Sequence, residues 1–132
     1  MPFIVDTENL NPGQVFYFNE KDPEGGSVTL RVCSGAALDE IREKATKKRV
    51  EYKRGGRYEV VETDEKAVSE GIWDYSIVDW DLADAKGAAI PCTVGNKYML
   101  MSESPAFSSR VAGFLEKLKE SMESEAEAAE KN

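Results

Sequence analysis

Val50-Glu51-Tyr52-Lys53-Arg54-Gly55-Gly56-Arg57-Tyr58-Glu59-Val60-Val61 decides the fold class. On either side of the Gly-Gly pair, apolar and charged residues alternate with the period of a half-buried strand, and Gly-Gly between such runs marks a tight turn that needs positive φ. The segment reads as a β-hairpin. An earlier hairpin precedes it: Val15-Phe16-Tyr17-Phe18 is aromatic and β-branched, Lys21-Asp22-Pro23-Glu24-Gly25-Gly26 reverses the chain, and Val28-Thr29-Leu30-Arg31-Val32 alternates again. The dozen residues ahead of it close on the turn signal Asn11-Pro12-Gly13 and read as a loose arm or an edge segment.

Between the hairpins, Ser34 caps a helix whose apolar positions Ala37, Leu38, Ile41 and Ala45 recur at helical spacing. That helix runs into Lys47-Lys48-Arg49, cations suited to the negative end of a helix dipole. Thr63 or Asp64 opens a second helix, and Ala67, Val68, Ile72, Trp73, Tyr75, Ile77, Val78 and Trp80 cover more than one of its faces. It stops at the turn Asp84-Ala85-Lys86-Gly87. Ile90-Pro91-Cys92 is extended, Thr93 opens a short helix, and Pro105 starts a last one with Phe107, Val111, Phe114, Leu115 and Leu118 in register. The expected fold is α+β: an antiparallel sheet of about four strands in two hairpins, one helix between them, packed by three C-terminal helices. Residues 1–122 form one domain. Residues 123–132 are a Ser/Glu/Ala tail with nothing large to bury, expected to fray or stay disordered.

Composition narrows function by exclusion. With 132 residues, 41% of them hydrophobic, the chain can bury a core without metal or disulfides. It contains no histidine, which removes Ser-His-Asp and Cys-His nucleophiles and every imidazole zinc site. Asp79, Asp81 and Asp84 lack the glycine and terminal glutamate of an EF-hand and read as solvated carboxylates. No nucleophile–base pair stands out, so no enzyme and no cofactor or metal is expected. Cys33 and Cys92 read as reduced structural thiols. Met1 to Asp6 has neither the basic segment nor the apolar run of a signal peptide, and no stretch reaches the ~18 apolar residues of a membrane helix. The expected location is the cytoplasm.

Charge is unevenly spread along a chain of net −8. Residues 42–57 hold eight cations against Glu43 and Glu51, with Lys47, Lys48, Arg49, Lys53, Arg54 and Arg57 at their centre; residues 59–85 hold nine carboxylates against Lys66 alone. The basic stretch has three readings. It is a solvated, edge-protecting surface, a face for protein contact beside the acidic stretch, or a phosphate-binding patch with Tyr52 and Tyr58 to stack on.

Trp73-Asp74-Tyr75-Ser76-Ile77-Val78-Asp79-Trp80, then Asp84 to Pro91, Thr93 to Leu100 and Pro105-Ala106-Phe107, resemble the tail assembly chaperones of long-tailed phages and prophages. In that family a helix ends in a V-x-D-W-like turn, a D-x-x-G-x-x-[IV]-P reversal follows, and a short S/T-x-E-N helix precedes a closing helix opened by proline. The match spans mainly residues 73–115; Gly95 stands where the family often has Glu, and the N-terminal half matches only loosely. The resemblance implies a non-catalytic, oligomerising factor of the host bacterial cytoplasm. Such a factor coats the tape-measure protein, meets tail-tube subunits, and is absent from the finished virion. It puts Trp73, Ile77, Trp80 and Pro91 in the motif helix and turn, and Phe107, Val111 and Phe114 on the last helix, in the core or at a subunit contact. Membrane and nucleic acid are not expected partners. The alternatives are a structural tail or head–tail connector subunit, and a small nucleic-acid-binding regulator using residues 42–57.

Overall fold

A computed structural model describes residues 3–131, with side chains described through residue 124. Five strands and four helices follow in the order β1 (Gln14–Tyr17), β2 (Ser27–Leu30), α1 (Gly35–Lys44), β3 (Thr46–Lys53), β4 (Gly56–Thr63), α2 (Glu65–Ser76), β5 (Ile77–Asp81), α3 (Val94–Glu103) and α4 (Pro105–Lys131). The α+β class is as expected, with one helix between two hairpins and three helices after them. The sheet differs. The four expected strands do not share one sheet: β1, β2 and β5 form an antiparallel sheet with β2 central, and β3 and β4 form a separate two-stranded ribbon. The backbone of the stretch expected to fray, residues 123–132, is the end of α4 as far as Lys131, and its side chains from residue 125 on lie outside the described ones.

The additional strand comes out of the expected second helix. That helix ends at Ser76, and Ile77–Asp81 continues as β5, paired to β2 with a register shift between Thr29 and Leu30. Ile77 faces Leu30 and Trp80 faces Val28, so one extra residue is accommodated between them. A bulge of this kind lets residues three apart point to the same side of a strand. Ile77 and Trp80 are therefore both buried, while Val78 is exposed. The same three-residue spacing reads as helix from sequence, and this is why the helix was expected to run on and to carry apolar residues on more than one face.

The core lies between the three-stranded sheet and α4. Val28, Leu30, Ile77 and Trp80 meet Val111 and Phe114, with Phe16, Phe18, Trp73 and Phe107 packed around them. The aromatic rings interlock: Phe16 stacks on Phe114 at 4.9 Å, and Trp80 meets Phe107 edge-on at 6.0 Å. Arg110 on α4 donates to the carbonyl of Phe18 and lies over the Phe114 ring at 5.3 Å.

The caps are where short polar side chains permit them. Ser34 accepts from Ala37 N, Asp64 from Lys66 N and Ala67 N, and Thr93 from Asn96 N. α1 stops at Lys44, and Lys47-Lys48-Arg49 belong to β3 rather than to the end of the helix. Thr46 explains the break: its hydroxyl bonds Arg42 O at 2.7 Å and lies 3.0 Å from the Thr63 hydroxyl across the ribbon. The ribbon turns on Arg54 and Gly55, at φ 52° and 78°, one residue before the Gly55-Gly56 pair on which the turn was expected.

α1 crosses α2 at Gly71, where a Cβ would lie 2.6 Å from Ile41 Cγ2. Gly71→Ala gains roughly 1 kcal/mol of helix preference but drives a methyl into that contact. A net loss of about 1–2 kcal/mol is expected in urea unfolding. Ile41→Ala in the same chain should remove the penalty of the added methyl. A gain in stability from the single change would show that the two helices separate freely.

Candidate interaction surfaces

The structure brings the residues of the 73–115 stretch into one unit. Trp80 donates its indole N–H to Ile90 O at 2.7 Å, which pins the reversal after β5 to the core. The reversal is closed by Ile90 N to Leu82 O, by Asp84 N to Ala88 O, and by Gly87 at φ 83°. The Asp84 carboxylate accepts from Lys86 N and Ala88 N, at 2.8 and 3.0 Å. It builds the turn, as aspartates do at such positions. Asp79 likewise accepts from Trp80 N. Pro91 is exposed, and its carbonyl accepts from Asn96 Nδ2 at 2.8 Å, tying the turn to the start of α3. No cluster among the described residues has the ligands for a metal ion.

Two residues that anchor this unit escaped sequence reasoning. Lys97 is 6% exposed, and its ammonium lies 3.0 Å from Asp74 Oδ1 and 3.3 Å from Asp74 O, fastening α3 to α2. Arg31 donates Nε to Tyr75 O at 2.7 Å and sits 3.7 Å from the centre of the Tyr75 ring. Both are long cations whose partners lie far away in sequence, and only the interrupted apolar pattern of α3 hinted at Lys97. Because the ammonium is buried and the Asp74 side chain half exposed, the two halves of the pair are unequal. Asp74→Ala strands a buried charge and should cost about 2–3 kcal/mol, whereas Lys97→Met leaves a carboxylate that water can reach and should cost less than about 1 kcal/mol. Urea midpoints of the two variants decide this; equal losses would mean that the pair acts symmetrically.

The candidate contact residues divide by depth. Ile77, Trp80, Val111 and Phe114 are buried, Trp73 and Phe107 are half-buried against them, and Pro91 alone of the seven is exposed. Cys33 and Cys92 are free and half-buried, and burial pushes both thiols up from their ordinary range.

The six basic candidates all lie on the ribbon or its turn. Its strands are eight residues each, about 26 Å long, and neither holds a buried residue. It carries six of the seventeen cations and three of the twenty-five carboxylates, a basic arm on an acidic body. Pairing across the ribbon separates two faces. On one, Arg49 bridges Glu51 and Glu62 at 3.0 and 2.8 Å, and Lys53 bridges Glu51 at 3.3 Å. On the other, Lys48, Val50 and Tyr52 oppose Val61, Glu59 and Arg57, and here Tyr52 is 77% and Val61 56% exposed. Phe3, Ile4, Val5 and Leu10 near the N-terminus are exposed as well. No helix among the described residues is long and apolar enough to cross a membrane. Compared with protein-family models, curated proteins and solved structures, the chain matches none.

Proposed function

We propose that the chain is a tail assembly chaperone of a long-tailed phage or prophage, a non-catalytic factor that holds the tape-measure protein and tail-tube subunits during assembly in the bacterial cytoplasm. What supports the reading most is the unit around Trp80. The residues that carry the resemblance are joined there by the Trp80–Ile90, Asp84–Ala88 and Pro91–Asn96 bonds, so they serve one structural purpose. Exposed apolar side chains on the ribbon and near the N-terminus suit weak contact with many helical segments, and Met99, also exposed, adds an adaptable side chain. The acidic body keeps such a complex dispersed.

Co-expression with the tape-measure protein of the same genome, followed by pull-down, tests the reading. The expected result is co-purification and a more soluble tape measure; neither occurring would sink it. Mass spectrometry of purified virions separates it from a connector subunit, since only a connector remains in the particle. A band-shift assay at low and high salt tests the basic arm against nucleic acid, with no shift expected at either.

A further inference from the structure

The ribbon leaves two strand edges, and they are not alike. The strand β3 carries Lys47, Lys48, Arg49 and Lys53 against Glu51; β4 carries no lysine and only Arg57, Glu59 and Glu62 as charges. Lysine-rich edges are a common protection against pairing with another chain. The protection here is one-sided. Moreover, a two-stranded ribbon exposed on both faces is marginal by itself in water, and gains most from a further strand.

We infer that the open edge of β4 pairs antiparallel with β4 of a second copy, joining two ribbons into a four-stranded sheet. The ladder permits it. Lys53↔Gly56 closes the two-residue turn, so by the alternation of antiparallel bonds Arg57, Glu59, Val61 and Thr63 aim their N–H and C=O groups away from β3. With Val60 on the two-fold axis, nearly the whole strand overlaps. Arg57 then faces the second copy's Thr63, Glu59 its Val61, and Tyr58 its Glu62. No two like charges are opposite one another, which is the condition a self-pairing strand must meet. Pairing through β3 fails it: a register centred on Arg49 sets Arg49 against itself, and one centred on Val50 sets Lys47 against Lys53. Each carries four cations against four. The two-fold places the bodies at opposite ends of the paired arms. It also leaves the lysine-rich β3 strands as the outer edges, which stops the sheet at four strands. The joint is isologous and closed, and it forms independently of what the chain binds.

Light scattering on the full chain should give the mass of a dimer. Glu59→Pro removes an outward N–H of β4 without touching a bond to β3, and should halve the mass. Lys48→Pro makes the same change on β3 and should leave the dimer intact. A monomeric parent chain, or dissociation by Lys48→Pro with Glu59→Pro still dimeric, overturns the pairing. Should both prolines disrupt the arm, disulfide trapping decides, in a chain carrying Cys33→Ser and Cys92→Ser. Val60→Cys should cross-link to itself. Arg57→Cys should not, but should cross-link when mixed with Thr63→Cys. Any other pattern overturns the register.

Discussion

Trp80→Ala is expected to cost about 4 kcal/mol, the range for deleting a large buried aromatic. For a domain whose whole stability falls at roughly 5–15 kcal/mol, this removes from about a quarter to about four-fifths of it. Two losses add up in this substitution. The indole leaves a cavity against Val28, Ile77 and Phe107, and Ile90 O loses the donor that holds the reversal after β5. Trp80→Phe separates them in part: one six-membered ring remains as packing while the indole N–H and the second ring are lost, and a loss of about 1–2 kcal/mol should follow. Urea unfolding followed by circular dichroism measures both. Hydrogen exchange adds a local reading, because amides at Ala88 and Ile90 should open faster in the Phe variant than those of β2. Equal stability of Trp80→Phe and the parent would remove the hydrogen bond from the account.

How far the fold was legible follows the range of each signal. Ser34, Asp64 and Thr93 act on amides two or three residues away, so the starts of α1, α2 and α3 are written locally. The β3–β4 ribbon was legible for the same reason, apart from the shift of its turn to Arg54-Gly55. What could not be seen was pairing at long range. Val28 and Leu30 meet Trp80 and Ile77 across some fifty residues, and the bulge between them gave β5 the spacing of a helix. Nor does alternation tell which strands share a sheet: both hairpins alternate, but only β2 finds a third strand, and β3–β4 stays apart. The apolar candidates were found as a set because buried residues repeat with regular spacing. The Lys97–Asp74 bond was missed because a single charge among apolar residues has no spacing to read.

Phe114→Ala should have the other large effect, about 3–4 kcal/mol. Its ring is stacked on Phe16 at 4.9 Å and meets Phe18 edge-on at 5.6 Å, so truncation opens the seam between α4 and β1 along with the core. A double-mutant cycle with Phe16→Ala should give a coupling of about 1 kcal/mol for the stacked pair. The result also bears on function. Phe114 lies inside the fold, so any loss of tape-measure co-purification in this variant should follow the fraction unfolded and return on cooling to where the variant is folded. Tyr52, on the exposed face of the ribbon, has no such constraint. A folded Phe114→Ala chain that still fails to bind would favour α4 over the exposed ribbon face as the proposed contact surface.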